Sequence, residues 1–176
     1  MNASLEQDAP IFLVGFMGSG KSTVGRALAK RLSWEFEDTD ACVERAQGRS
    51  VDEIFRQSGE GRFREAEWEA LCSLAGRKRV VVATGGGLFL GVAQRAFLRA
   101  HGVSCWLDAP LDVVAARVGD GASRPLWPAD DALARRAFFE RRRAVYALAT
   151  LCVDASAGGP DELARDIEIA RNALWR

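Results

Sequence analysis

A three-layer α/β fold, with helices on both faces of a doubly wound five-stranded parallel sheet, is what the sequence predicts, and three observations carry that prediction. Short apolar runs of strand length alternate with amphipathic segments of helix length along the whole chain. Parallel neighbours need crossover connections and each crossover covers a face of the sheet, so this alternation favours a wound sheet over a sandwich or a bundle. The first apolar run also passes directly into a glycine-rich turn and then a helix, the arrangement of a phosphate-binding strand–turn–helix unit. With 176 residues, the chain has the length of one domain, and residues 1–176 are expected to form it.

In chain order the strand-like runs are Ile11–Val14, 35–37, Val80–Ala83, 104–107 and 151–153. The first is followed by a helical run over 23–32. Between the second and third strands the stretch 40–78 holds about three helical pieces instead of one, and an insertion that large is expected to bind substrate. Ser50-Val51-Asp52-Glu53 is a capping box within it. Asp108 and Pro110 mark a first turn after the fourth strand, and Pro160-Asp161-Glu162 opens the last helix after Gly158-Gly159. The segment 119–130, which begins Gly119-Asp120-Gly121-Ala122-Ser123-Arg124-Pro125, is rich in glycine and small polar residues and is expected to be a mobile surface lid.

Composition excludes several functions. Hydrophobic residues make up 48% and charged residues 27%, an ordinary globular balance. Lys plus Arg and Asp plus Glu both number 24, so no bulk field draws the chain to nucleic acid or an anionic membrane, and any anion site must be local. Cys42, Cys72, Cys105 and Cys152 are scattered without a C-x-x-C pair, which suggests reduced thiols in the cytoplasm and neither a disulfide framework nor a zinc cluster. His101 is the only histidine, which removes a histidine-dependent nucleophilic triad; near the end of a helical run it reads as a surface or C-terminal capping residue. The first nine residues lack the basic and apolar parts of an export signal, and no apolar run reaches the length of a membrane span.

Gly15-Phe16-Met17-Gly18-Ser19-Gly20-Lys21-Ser22 matches G-x4-G-K-[ST] after a strand and before a helix. Glycines are required there because the backbone must turn its N–H groups inward around phosphate oxygens, where a Cβ would block the approach. Gly18, Ser19, Gly20, Lys21, Ser22 and Thr23 are therefore expected to hold a nucleoside triphosphate. Lys21 would contact the β- and γ-phosphates and the Ser22 hydroxyl would ligate Mg²⁺. Asp38 and Asp40 follow the second strand and emerge at the same carboxyl edge of the sheet, where open α/β sheets gather ligands. Period-2 alternation would send both to one side. The strand Val80–Ala83 ends in Thr84 and then Gly85-Gly86-Gly87 with no acid, so Asp38 is the candidate for the metal shell and Asp40 for the acceptor hydroxyl. A helix N-cap is the other reading of each acid. The three glycines read as backbone laid open to a small ligand, or as a tight turn.

Over about nine-tenths of its length the chain resembles the shikimate kinases, whose motifs GFMGSGKSTVGRALA, DTD, SVDEIF, FREAE, GGG and SRPL occur here in the family's order. The resemblance implies a sheet ordered 2-3-1-4-5, with ATP and Mg²⁺ as cofactors and shikimate as acceptor. It makes Asp40 the residue that binds and deprotonates the acceptor hydroxyl and Asp38 the magnesium-associated acid. Arg64, with Glu67 one helical step away, resembles the arginine on the shikimate carboxylate, and Gly85, Gly86 and Gly87 resemble the backbone beside the substrate ring. Arg117 is similar to the residue flanking adenine, and Arg124 to the lid arginine that reaches the transferring phosphates. Arg142, four residues before Tyr146, has the position of the second carboxylate-binding arginine, with Arg143 open as an alternative because Ala144-Val145 replaces the family's Pro-Leu. The loop 154–160 lacks the arginine that some members place near adenine. Trp127 follows Arg124-Pro125-Leu126 without a function that the motif supplies. A related gluconate-type kinase, or a non-catalytic sensing module of the same shape, is the alternative. No nucleic-acid or membrane partner is expected, and a cytoplasmic monomer is.

Overall fold

A computed structural model describes residues 6–119, 127, 131–156 and 158–175. Its five strands, β1 (Ile11–Val14), β2 (Glu35–Asp38), β3 (Val80–Ala83), β4 (Val103–Asp108) and β5 (Leu151–Asp154), form one parallel sheet in the order β2-β3-β1-β4-β5. The order implied by the resemblance is therefore the one observed. Apolar content explains the placement: β1 and β3 are buried at every residue and lie inside the sheet. Glu35-Phe36-Glu37-Asp38, with one apolar side chain, takes an edge.

The helices are α1 (Lys21–Leu32), α2 (Thr39–Gln47), α3 (Val51–Cys72), α4 (Val92–His101), α5 (Leu111–Val118), α6 (Ala132–Tyr146) and α7 (Pro160–Asn172). Helix α1 starts two residues earlier than its apolar periodicity indicates, which puts Lys21 and Ser22 in its first turn. The capping box of α3 is formed, with Ser50 N–H donating to Glu53 Oε2 at 2.8 Å and Glu53 N–H to Ser50 Oγ at 3.2 Å. Gly59, at φ 79° and ψ 171°, breaks α3 internally. Residues 39–72 thus give three helical pieces, as the sequence indicates. They carry a small core of their own, Val43, Ile54, Phe63, Ala66 and Ala70, apart from the main core around the sheet. His101 closes α4 with its Nδ1 2.8 Å from the Phe97 carbonyl oxygen. All four cysteines are free, and among the described residues no helix is long and apolar enough to cross a membrane.

Three hydrogen bonds fix the end of β3, where the three glycines begin. Thr84 donates both its N–H (3.1 Å) and its hydroxyl (3.0 Å) to the Leu13 carbonyl of β1. Gly85 N–H donates to Thr39 Oγ1 at 2.8 Å, tying the same turn to the start of α2. The triglycine turn is pinned on both sides before any ligand is considered.

Candidate active site

The turn between β1 and α1 is the phosphate cradle. Gly18 (φ 75°) and Gly20 (φ 95°) are left-handed, a conformation that side chains with a Cβ rarely adopt. Gly15 is also at positive φ, and a Cβ there would come within 2.9 Å of the Leu107 carbonyl oxygen. Lys21 folds back into the loop, its ammonium donating to the carbonyls of Gly15 (3.0 Å) and Phe16 (2.7 Å). The Ser19 hydroxyl is buried inside the loop without a hydrogen-bond partner among the described residues. A cradle of inward-turned backbone on a helix N-terminus, with a buried cation and a spare hydroxyl, suits a polyphosphate. Arg117 leans over it from α5 and donates to the Gly18 carbonyl at 3.2 Å.

Asp38 joins the cradle to β2. Its Oδ2 accepts from the Ser22 hydroxyl at 2.7 Å while its Oδ1 accepts from Asp40 N–H at 3.0 Å, so it is both the N-cap of α2 and the partner of the proposed metal ligand. The N-cap reading of Asp38 is the one realised in the fold, and its other oxygen meets Ser22. The strand alternation invoked for Asp38 and Asp40 does not hold, because α2 begins at Thr39. The helical turn nevertheless leaves both acids on one cleft of about 490 Å³, with Met17 to Val24, Thr84, Gly86 and Arg117. Ala155, Gly158, Pro160 and Leu163 also line it. Among the described residues no group of three or more His, Cys, Asp or Glu could hold a metal ion. A magnesium ion would therefore take Ser22 and Asp38 from the protein and its other oxygens from phosphate and water, as this ion commonly does.

Beyond Asp40 lies a second, cationic half. Gly85 packs so tightly that a Cβ would fall 2.2 Å from Glu67 Oε1 and 2.8 Å from Asp40 Oδ1. Gly87 lies against the guanidinium of Arg64, both of whose terminal nitrogens would be 2.6 Å from a Cβ. Gly86 borders the phosphate loop, with a Cβ position 3.3 Å from Met17 N. Arg64 donates to Glu67 Oε2 at 2.8 Å and Glu60 Oε1 at 3.0 Å. Burial disfavours the Arg64 charge, but the attraction of Glu67 and Glu60 outweighs it and raises the pKa. Burial raises the pKa of Glu67 as well, more than Arg64 can lower it, and the neighbouring Asp40 adds to the rise.

Arg142 and Tyr146 close this half from α6. Tyr146 is buried and its hydroxyl donates to the Gly86 carbonyl; burial pushes its pKa up to about 12, against the pull of Arg142. Burial lowers the pKa of Arg142, Tyr146 opposes that, and the charge of Arg64 reaches it. Arg143 points elsewhere, donating from Nε (3.3 Å) and Nη2 (2.8 Å) to Asp108 at the end of β4. Of the two candidate arginines, Arg142 is the one hydrogen-bonded to Tyr146, whose hydroxyl meets Gly86. Thr23 lines the cleft, and Arg124 lies outside the described residues. Thr39 and Thr84 were not singled out from sequence, although each adjoins a motif: Thr39 is the middle residue of DTD and Thr84 precedes the glycines.

Residues 17–170 match the family model described as shikimate kinase. A shikimate kinase from Nostoc sp. is 38% identical over 168 residues, 94% of this chain and 92% of that one. Among solved structures, a shikimate kinase from Acinetobacter baumannii in complex with shikimate superposes with a TM-score of 0.85 at 35% identity, covering 94% of this chain and 92% of that chain. The enzyme from Aquifex aeolicus gives the same TM-score of 0.85 and 35% identity over 93% of this chain and 96% of that one.

Proposed function

The chain belongs to the shikimate kinase family, and from that premise we propose that it transfers the γ-phosphoryl group of MgATP to the 3-hydroxyl of shikimate, yielding ADP and shikimate 3-phosphate. The observation that supports this reading most is the placement of Asp40. It shares a cleft with the phosphate loop on one side and adjoins the Gly85 turn, Glu67 and the arginine-bearing half on the other. A small carboxylic acid with a hydroxyl suits that division. Its carboxylate would take the guanidinium groups of Arg64 and Arg142, whose planar donors match it, and its hydroxyl would face Asp40.

Asp40 would orient the acceptor hydroxyl and accept its proton as the oxygen–phosphorus bond forms and the bond to ADP breaks. Lys21 would leave the carbonyls of Gly15 and Phe16 to meet the β- and γ-phosphates, while the N–H groups of Gly18 and Gly20 hold the chain of phosphates in line. Bound Mg²⁺ would neutralise charge on the phosphate oxygens. Arg117 would flank the nucleotide. Arg124 takes its role on the transferring phosphates from the family motif alone. A cytoplasmic monomer is part of the same proposal, and elution as a dimer in size-exclusion chromatography would overturn the monomer.

The deciding experiment supplies purified protein with MgATP and either shikimate or gluconate and follows ADP release. Release that depends on shikimate is expected. Release with gluconate alone would favour the sugar-acid kinase reading, and release with neither would favour a sensing module.

A further inference from the structure

The two arginines of the cationic half are supported in different ways. Arg64 is held by carboxylates, Glu67 and Glu60. Arg142 is hydrogen-bonded to the Tyr146 hydroxyl and, among the described residues, forms no ion pair with a carboxylate. Its guanidinium carbon instead stands 4.0 Å from the centre of the Phe138 ring and 5.6 Å from that of Phe16. Those two rings are 5.6 Å apart and nearly perpendicular, at 89°, so they form a corner around the cation. Phe138 precedes Arg142 by four residues on α6 and Tyr146 follows it by four, which places all three on one helical stripe. Phe16 belongs to the phosphate loop and is braced from outside the corner by Trp127, at 5.9 Å and 67°, and by Phe139, at 5.2 Å.

A carboxylate partner would fix a guanidinium by consuming its N–H donors. An aromatic face attracts the cation through its quadrupole and leaves the N–H edge available. We propose that Phe138, with Phe16 as the second wall, is a positioning residue that holds Arg142 without a carboxylate, leaving the donors not turned to Tyr146 for the substrate carboxylate, and that Trp127 braces that corner. The proposal rests on the carboxylate role proposed above for Arg142. It also assigns Trp127, buried at 6% exposure, a part in the site that no motif gives it.

The test is steady-state kinetics of ADP release with each substrate varied in turn. Phe138→Met keeps roughly the side-chain volume and helix propensity while removing the ring. It is expected to raise KM for shikimate roughly three- to tenfold, with KM for MgATP and the melting temperature close to wild type. Phe138→Tyr, which restores the ring, is expected to restore KM. An unchanged KM for shikimate in Phe138→Met, or equal rises for both substrates, would overturn the assignment while leaving the function intact. A wild-type protein that releases no ADP with shikimate would overturn the function itself, and this assignment with it.

Discussion

Glu60 and Glu67 both grip Arg64, yet the consequences of losing them differ in sign. Glu67 is buried behind Arg64 and beside Gly85, where it fixes the arginine from the protein side. Glu60 is half exposed, follows Gly59, and accepts from Arg64 Nε at 3.3 Å as well as from Nη2. It therefore occupies donors of Arg64 that a substrate carboxylate would need, and its charge also acts on Arg142. Glu60→Gln is therefore expected to lower KM for shikimate several-fold, since an exposed ion pair contributes little to stability while it competes for the guanidinium. An increase in KM would show that Glu60 positions the arginine. Glu67 is expected to set an acid limit on substrate binding. Its carboxyl protonates above the ordinary carboxylate range, and a neutral Glu67, facing Arg64, Asp40, Glu60 and Tyr146, no longer attracts Arg64. KM for shikimate should rise as pH falls, whereas Glu67→Gln should show a raised KM with a flatter profile. The effect on stability has the opposite sign: folding favours the protonated form, so the charged form costs stability at neutral pH and the cost is relieved as pH falls.

Between one element and the next, glycines separate stability from activity. Gly102 joins α4 to β4, and a Cβ there would lie 2.4 Å from the Pro10 carbonyl oxygen and 2.7 Å from the Phe12 ring. Gly102→Ala should lower the unfolding free energy by about 1–3 kcal/mol, measured by urea denaturation, with the folded fraction keeping its kcat. At Gly85 the clash is with the movable ends of Glu67 and Asp40, so Gly85→Ala should retain most of its stability and lose turnover, on the order of 10²-fold by analogy with other misplaced catalytic groups. Much of this level was legible in the sequence. The strands, the capping box of α3 and the opening of α7 came from apolar period and cap residues, signals confined to a few neighbours. What stayed hidden depended on contacts across the chain. Arg142 and Arg143 are adjacent in a basic run, and only packing shows that Arg142 lies over Phe16 beside Tyr146, which meets Gly86, while Arg143 reaches Asp108. Thr39 and Gly85 are 46 residues apart, and nothing local announces their hydrogen bond.

For the molecule as a whole, balanced charge means that attraction of an anionic substrate comes from the arginine pair and not from a general field. KM for shikimate should accordingly rise only modestly between low and physiological salt, because the pair is partly buried and weakly screened. Ligands that bind only the folded chain should also raise its melting temperature; shikimate at a hundred times its Kd would add about 2.7 kcal/mol. No shift with shikimate, MgADP or both would contradict the proposed site. The parallel register aligns Asp38 with Ala83 and Ala83 with Leu13 in one row across β2, β3 and β1. Adjacent strands lie roughly 4.8 Å apart, so the ends of β2 and β1 are about 10 Å apart with β3 between them. That interval is a gauge set by main-chain hydrogen bonds, and no rotamer change can shorten or stretch it. Donor and acceptor ends are consequently spaced by the weave of the backbone, and evolution could alter the side chains that line the gap without disturbing its breadth.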